Sequence, residues 1–435
     1  MKRITFLICV LFLNLTNVNA QGAIYFPPLA GDSWETISLS ELGWCEDEIP
    51  PLYEYLDDQN TKAFLVLKDG KIVLEKYFDT FTKDSLWYWA SAGKGLTAFL
   101  TGIAQQEALL SITDTTSTYL GEGWTSCTPE QEEKITILNQ ITMTTGLDEE
   151  FEAYCTDPEC LIFKADVNER WAYHNSPYTL MDEVISSATG LSMNLYLNSR
   201  VKSRTGMDGV YVPVDDNNVF FSTPRSMARF GLLMLNRGQW DLTDVLTDEV
   251  YFDAMVSTSQ SLNEAYGYLW WLNGKESYML PQTEMVFDGP LIEAAPDDMF
   301  AAIGKNGQYL NVVPSENLIV IRMGQAPTGL ESLVPTVFNN TIWEYLNEIM
   351  CGVAGVEDLV STDIKLYPNP VSDLLSFENN DFHFYEIYDV HGRVVLTGEL
   401  TVGINEINVS ELQNEMYLFN LRDKEGNTKM LKFVK

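Results

Sequence analysis

Short strands on either side of a long helical stretch constrain the fold of this chain more than any other feature. Ala63–Leu67 and Lys71–Phe78 have strand character and flank an Asp-Gly turn, which is typical of a β-hairpin. A mainly helical stretch runs from about Ser91 to residue 290, and three more short strands lie within Asp298–Met323. We therefore predict an α+β fold, in which an antiparallel sheet flanked by helices is joined to a helical lobe. The cleft between the two is the expected place for a ligand.

The 435 residues divide into four segments. Residues 1–20 are predicted to be a signal peptide, because two basic residues precede a short apolar run and a small-residue cleavage site follows. The run is too short to cross a bilayer, so we expect no membrane span after cleavage. Residues 21–351 form the main domain, 352–364 a linker, and 365–435 a small all-β sandwich of short alternating strands.

The chain is strongly acidic, which limits its partners. It has 62 Asp and Glu residues against 27 Lys and Arg residues, and its formal net charge is −35. A surface with this charge repels the phosphates of nucleic acids and anionic lipids. We therefore expect no nucleic-acid partner, and we interpret the acidic coat as one that keeps an exported protein soluble.

Five cysteines remain after the predicted signal peptide: Cys45, Cys127, Cys155, Cys160 and Cys351. Export permits disulfides, and an odd number leaves one free thiol or one intermolecular bridge. Cys155 and Cys160 bracket a tight turn, so a local bridge between them is the first prediction. The spacing does not reveal the rest of the connectivity.

Histidine is scarce, which narrows the chemistry of the main domain. The chain has three histidines, and His383 and His391 lie in the terminal segment. A Ser-His-Asp triad would have to use His174, and a histidine-rich zinc site is excluded. The chain also has no G-x-S-x-G pattern. A hydrolase built on this sequence therefore needs a base other than histidine, and we predict no metal.

Ser91 and Lys94 form an S-x-x-K pattern at the start of an apolar helix. Residues i and i+3 share one face of a helix, so the amine can reach the hydroxyl. A buried lysine loses proton affinity, and its neutral amine can then accept the serine proton. Helix capping is the alternative role of Ser91. A second match, at Ser199 and Lys202, has basic flanks that are typical of an exposed helix end.

Tyr173-His174-Asn175 is the second element with possible chemistry. A tyrosine can transfer a proton if nearby cations lower its pKa. An asparagine can bridge the lysine and a substrate carbonyl. A hydrogen-bonded loop is the alternative, and we expect His174 to point away as a structural hydrogen-bonding group.

Lys305-Asn306-Gly307 is the third element, on or beside the late strands. A glycine at 307 would let a substrate approach the backbone, and the N–H of Gln308 could then stabilise an oxyanion together with that of Ser91. A plain Asn-Gly hairpin turn is the alternative.

The order of these three elements resembles that of the penicillin-binding-protein and class C β-lactamase superfamily. The resemblance covers about residues 40 to 350. Residues 141–147, 221–231 and 266–271 are also similar to the β-lactamase-related esterase and amide-hydrolase branch, which includes nylon-oligomer hydrolases.

This resemblance implies a serine hydrolase that works through an acyl-enzyme and needs no cofactor. Ser91 would attack the substrate, Lys94 and Tyr173 would move protons, Asn175 would orient the groups, and Lys305 would contact a substrate carboxylate.

The terminal segment resembles the type A sorting domain of type IX secretion. Leu366–Pro370 matches its opening, Tyr388–Arg393 its middle and Lys432–Lys435 its end. The resemblance implies a secreted or cell-surface protein whose partner is the type IX machinery. A generic binding module is the alternative.

Three functions follow from the sequence. The first is a secreted serine hydrolase that cleaves an ester or amide in a small-molecule or peptide-like substrate. The second is a peptidoglycan carboxypeptidase or β-lactamase, which Lys305 favours. The third is a non-catalytic peptide- or glycan-binding protein on the same fold, and the intact Ser91, Lys94 and Tyr173 argue against it.

Overall fold

The computed structural model describes residues 24–329, 334–351, 364–379, 382–389, 393–424 and 428–435. The signal peptide and all but the last residue of the linker lie outside these ranges, so both remain predictions. Within the described ranges, no helix is long and apolar enough to cross a membrane.

The helices in chain order are α1 Leu39–Leu42, α2 Ile49–Asp58, α3 Gly93–Gln106, α4 Ser117–Leu120, α5 Pro129–Glu132, α6 Ile137–Thr142, α7 Asn175–Thr179, α8 Met181–Thr189, α9 Met193–Leu197, α10 Ser203–Thr205, α11 Pro224–Leu235, α12 Glu249–Met255 and α13 Thr336–Ile349. Short 3-10 turns occur at Glu46–Glu48, Ala90–Ala92, Pro158–Cys160 and Pro314–Glu316, and a π turn occurs at Asn198–Lys202.

The strands in chain order are β1 Thr61–Lys68, β2 Lys71–Tyr77, β3 Trp87–Tyr88, β4 Val210–Val214, β5 Asn217–Ser222, β6 Gln239–Trp240, β7 Thr243–Asp244, β8 Trp271–Leu272, β9 Ser277–Met279, β10 Val286–Asp288, β11 Phe300–Gly304, β12 Gln308–Val313, β13 Leu318–Gly324, β14 Leu374–Asn379, β15 Phe384–Tyr388, β16 Val394–Glu399, β17 Gly403–Asn408, β18 Met416–Arg422 and β19 Thr428–Val434.

A six-stranded antiparallel sheet, in the order β2-β1-β13-β12-β11-β8, forms the centre of the main domain. The sheet joins the early and late strands, because β1 pairs with β13 and places Leu65 opposite Ile321. This pairing confirms the prediction of one sheet shared by strands that are far apart in sequence.

Helices cover both faces of this sheet. On β12, the Tyr309 ring lies 5.8 Å from that of Phe338 on α13. The next residue, Leu310, faces Gly231 on α11, where a Cβ atom would come within 2.9 Å of the leucine. Successive side chains of a strand point to opposite faces, so the sheet is buried between two helical layers.

The stretch between the early and late strands is mainly helical, as predicted, and it has a small core of its own. That core consists of Trp124, Ile135, Leu147, Leu161 and Leu180. The stretch also contains a three-stranded sheet, β3-β5-β4, which the sequence did not predict. A half-buried strand is recognised by alternating apolar and polar residues. In β4 this pattern is lost, because the exposed residues Val210, Val212 and Val214 are apolar.

The terminal segment folds into two small antiparallel sheets, β14-β17 and β16-β15-β18-β19. Their inner faces meet at Phe377 and Phe419, whose ring centroids are 5.1 Å apart. This arrangement confirms the predicted all-β region.

Two disulfides are present within the described residues. The predicted local bridge joins Cys155 to Cys160. A second bridge joins Cys45 to Cys351, with a Cα–Cα distance of 5.4 Å, and ties the segment before α2 to the end of α13. Cys127 is a free thiol.

We expect the Cys45–Cys351 bridge to contribute more stability than the local one. Replacing both of its cysteines by serine should lower the free energy of unfolding by about 3 kcal/mol, because the bridge restricts a long loop of the unfolded chain. The two cysteines are 306 residues apart, against 5 for the matched control Cys155→Ser/Cys160→Ser. Urea unfolding measures both variants, and an equal or larger loss in the control would contradict the argument.

Candidate active site

Ser91 lies in a strained turn that connects strand β3 to helix α3. Ala90 adopts a φ of +47°, which is uncommon for a residue with a Cβ atom. The turn is anchored on one side by Trp89, whose backbone N–H donates to the Phe220 carbonyl at 2.8 Å and whose indole N–H donates to Ser222 Oγ at 2.8 Å. The Ser91 side chain remains half-buried and faces the second motif. Backbone strain of this kind is often found at functional sites.

Lys94 points from the first turn of α3 back towards the serine. Its Nζ lies 3.1 Å from Ser91 Oγ and donates to Asn175 Oδ1 at 2.8 Å. The aromatic rings of Tyr178 and Tyr173 lie 4.1 and 5.0 Å from Nζ. Residues 91, 94, 173 and 175, which the sequence proposed as a group, are therefore brought together around one amine.

Burial lowers the pKa of Lys94 to about 7. The residue is 2% exposed, and within the described residues it makes no ion pair that would compensate the charge. Desolvation penalises the charged ammonium, so a large fraction of Lys94 is neutral near pH 7. A neutral amine 3.1 Å from a hydroxyl can accept its proton.

Tyr173 packs between aromatic side chains and reaches Ser91 with its hydroxyl. Its ring stacks on Trp271 with centroids 5.9 Å apart, and it meets Tyr266 edge-on at 6.2 Å. Burial raises the pKa of Tyr173, and a hydrogen bond with Ser91 opposes the shift only in part. The condition that nearby cations lower the pKa of Tyr173 is therefore not met, and Tyr173 is a protonated donor at neutral pH.

His174 is buried, but it is not hydrogen-bonded as we expected. It is 2% exposed, and neither ring nitrogen has a partner within the described residues. Burial lowers its pKa to about 4, so the imidazole is neutral at physiological pH.

The Lys305–Gly307 segment is the turn of the β11–β12 hairpin. Asn306 and Gly307 have φ values of +66° and +75°. The buried Arg322 holds the turn by donating to the carbonyls of Asn306 at 2.6 Å and Gly307 at 3.1 Å. Asn306 Nδ2 donates to the hydroxyl of Tyr88 at 2.7 Å, which connects the turn to the strand before Ser91. The Lys305 side chain is exposed.

Gln308 begins the next strand and is fully buried. Its side-chain amide donates to the Gly324 carbonyl at 2.7 Å and accepts from the Gly324 N–H at 3.0 Å. In the hairpin it lies opposite Gly304. Within the described residues, none of Lys305, Gly307 and Gln308 makes a hydrogen bond to Ser91 that would join the third element directly to the first.

Gly304, which the sequence did not single out, is the residue of this hairpin that abuts the serine turn. A Cβ atom there would come 2.4 Å from the Trp89 carbonyl oxygen and 3.0 Å from the Ala92 nitrogen. Strand β8 pairs with Phe300 and Ala301 of β11, and within the described residues it has no pairing with the remaining residues of that strand, which ends at Gly304. A glycine that ends a buried strand just before an Asn-Gly turn was the signal that could have identified this position.

The second S-x-x-K match forms no comparable pair. Ser199 Oγ donates to the Tyr196 carbonyl at 3.0 Å, and Lys202 Nζ donates to the Gly209 carbonyl at 2.7 Å. Both side chains are therefore bonded to backbone carbonyls and not to each other.

One group of possible metal ligands occurs within the described residues, at Glu152, Cys155 and Cys160. Both sulfurs belong to a disulfide, so neither is a thiolate ligand.

The fold and the comparisons with known proteins define the chain as a serine hydrolase. It belongs to the beta-lactamase family, because the model of the family described as Beta-lactamase matches residues 57–335, more than half of the chain. No curated protein matches the chain.

Solved structures share the predicted α+β fold. They include a Bacillus anthracis protein assigned as a 6-aminohexanoate-dimer hydrolase (TM-score 0.56, 19% identity, 75% of this chain and 91% of that chain). A penicillin-binding-protein homologue from Caulobacter crescentus has a TM-score of 0.54 at 13% identity and covers 70% and 98% of the two chains. A family VIII carboxylesterase has a TM-score of 0.54 at 11% identity and covers 73% and 99%. At these identities the likeness establishes the fold alone.

Residues 365–435 match the family described as Secretion system C-terminal sorting domain. This match confirms the sorting domain and indicates a protein that type IX secretion delivers to the cell surface or the medium.

We expect the reactivity of Ser91 to rise with pH through about 7. Protonation of Lys94 below that pH removes the proton acceptor, so labelling of Ser91 by a fluorophosphonate should increase about tenfold per pH unit and then level off. The rate of mass gain between pH 5 and 9 measures the profile. A labelling rate that still rises about tenfold per pH unit at pH 9, as the ordinary lysine pKa of 10.5 requires, would show that the amine is not desolvated.

Proposed function

We propose that the protein hydrolyses an ester or amide through an acyl-enzyme on Ser91. The observation that carries the proposal is the 3.1 Å contact between Ser91 Oγ and the buried Lys94 amine. In acylation, Lys94 accepts the Ser91 proton while Oγ forms a bond to the substrate carbonyl carbon. The bond to the leaving group then breaks, and the leaving group takes a proton. Water completes the cycle by displacing Ser91 from the acyl group.

Tyr173 relays the proton to the leaving group: its hydroxyl gives up its proton and regains one from the Lys94 ammonium, which carries the proton taken from Ser91. Burial keeps its hydroxyl protonated, and the hydroxyl is hydrogen-bonded to Ser91, where the leaving group departs. Asn175 orients the Lys94 amine by accepting one of its protons at 2.8 Å.

The developing oxyanion is stabilised by backbone N–H groups, one of which is that of Ser91. The second donor belongs to the segment 304–308. The sequence favoured Gln308 for this role. The contact of Gly304 with the serine turn favours the start of the segment, at the N–H of Lys305, with Gly307 shaping the turn that follows.

A second function, as a peptidoglycan carboxypeptidase or β-lactamase, is favoured by one observation. The Lys305 side chain is exposed and follows directly on Gly304, so its charge is available to a substrate carboxylate. Covalent trapping of benzylpenicillin on Ser91, weakened by Lys305→Ala, would support this function. Rapid turnover of simple esters with no effect of penicillin would oppose it.

Ser91→Ala is expected to abolish covalent labelling and to reduce ester hydrolysis by at least about 10³-fold, because the nucleophile is lost. Lys94→Met should have a similar effect, because the proton acceptor is lost. The measurements are intact mass after treatment with a fluorophosphonate and initial rates on p-nitrophenyl acetate.

The matched control for this experiment is Ser199→Ala, which removes the serine of the second S-x-x-K pattern. Ser199 is bonded to backbone, so the variant should label and hydrolyse like the wild type. Retention of the label in Ser91→Ala would refute Ser91 as the nucleophile. Absence of label in the wild type as well would favour a binding protein on the same fold.

A further inference from the structure

A braced surface loop lies between α6 and the Tyr-His-Asn motif. We name residues 148–164 the disulfide loop. Its two ends meet at a β-bridge between Leu147 and Phe163. The Cys155–Cys160 bridge closes its tip. The loop is therefore restrained both at its base and at its tip.

Two further contacts attach this loop to the catalytic segment. Arg170, shortly before the motif, donates to both carboxylate oxygens of Glu149 at 2.5 and 2.6 Å. Ser176, which directly follows Asn175, donates from its hydroxyl to the Ala153 carbonyl at 3.2 Å. A bidentate arginine–carboxylate pair has a well-defined geometry. The tip is thus positioned relative to the group around Lys94.

The tip presents two large aromatic side chains to solvent. Phe151 and Tyr154 are 45% and 42% exposed, and they flank Ala153, the residue held by Ser176. Tyr154 follows directly on Ala153, whose carbonyl accepts the hydrogen bond from Ser176, the residue after Asn175. A single exposed ring is ordinary, but these two lie on a segment that is hydrogen-bonded to the residue after Asn175.

The charge of the tip limits what the rings can bind. Glu152, Asp157 and Glu159 are exposed on the same short segment, on a chain with a formal net charge of −35. Anionic groups are repelled from such a surface. An anionic group is therefore excluded from the tip, and the exposed rings of Phe151 and Tyr154 are complementary to an apolar group.

We propose that Phe151 and Tyr154 form an apolar wall that binds an uncharged hydrocarbon or aromatic group of the substrate beside the scissile carbonyl. This inference rests on the proposed hydrolase function, since the wall is defined by its attachment, through Ala153 and Ser176, to the segment that carries Tyr173 and Asn175. The Cys155–Cys160 bridge acts as a positioning element, because it fixes the segment that carries Tyr154. Lys305 lies on a different element and leaves room for a carboxylate elsewhere on the same substrate.

The first test compares two esters on the full-length protein. The ratio of kcat/KM for p-nitrophenyl octanoate to that for p-nitrophenyl acetate should fall about tenfold in Tyr154→Ala, with the change mainly in KM, because the longer chain loses its contact. Cys155→Ser/Cys160→Ser should lower the same ratio. An unchanged ratio, or an equal loss on both esters, would overturn the proposal, because the ring would then only support Tyr173.

Phe384→Ala is the matched control. Phe384 is an equally exposed aromatic residue, at 40%, but it lies on β15 of the sorting domain. Its removal should leave both rates and their ratio unchanged. A fall of the ratio in this variant would show that the effect is not specific to the disulfide loop.

A binding measurement separates this proposal from the proposed hydrolysis. Ser91→Ala cannot form an acyl-enzyme, yet by calorimetry it should bind octanamide about tenfold more tightly than acetamide. Adding Tyr154→Ala should remove that preference. If the wild type hydrolyses neither ester but the preference is seen, the hydrolase proposal fails and the apolar wall stands. If Ser91→Ala binds both amides equally, the apolar wall is refuted.

Discussion

Desolvation of one amine is the condition on which the chemistry of this site depends. Lys94 lies between the rings of Tyr178 and Tyr173, and its two hydrogen bonds replace only part of the hydration that an ammonium has in water. The helix enforces this burial, because every residue from Gly93 to Ala104 is buried. The lysine side chain at the start of such a helix cannot turn to solvent, so its lowered proton affinity is a property of the packing.

Arg322 is a second buried basic residue, and it has enough hydrogen-bond acceptors around it to remain charged. Arg322 donates to four backbone carbonyls and one hydroxyl, so although burial lowers its pKa to about 10 it stays charged at neutral pH. Hydrogen bonds from that guanidinium hold the turn at Asn306 and Gly307. The turn directly follows Gly304, the last residue of β11, which abuts the serine turn. The same interior thus contains a lysine whose proton affinity is low enough for it to act as a base and an arginine that stays charged and holds a turn in place.

The fold was predictable where the signal is local or strongly periodic. The β11–β13 strands and the Cys155–Cys160 bridge follow from turns and short spacings. The β3-β5-β4 sheet and the bridge between Cys45 and Cys351 did not follow. Strand β3 and Cys45 each join a partner that is far away in sequence, whereas the β4–β5 hairpin is local and was missed because the exposed residues of β4 are apolar.

The sequence by itself determined that Ser91 and Lys94 face each other, because residues three apart share a helix face whatever surrounds them. It also determined the sorting domain, whose short motifs are read within one segment. Only the tertiary structure decided that Asn175 and Tyr173 converge on that pair, that Tyr173 stays protonated, and that Gly304 abuts the serine turn. Burial sets the proton affinity of a side chain, and the packing of distant segments sets which residues touch. The spacing of residues along the chain specifies neither.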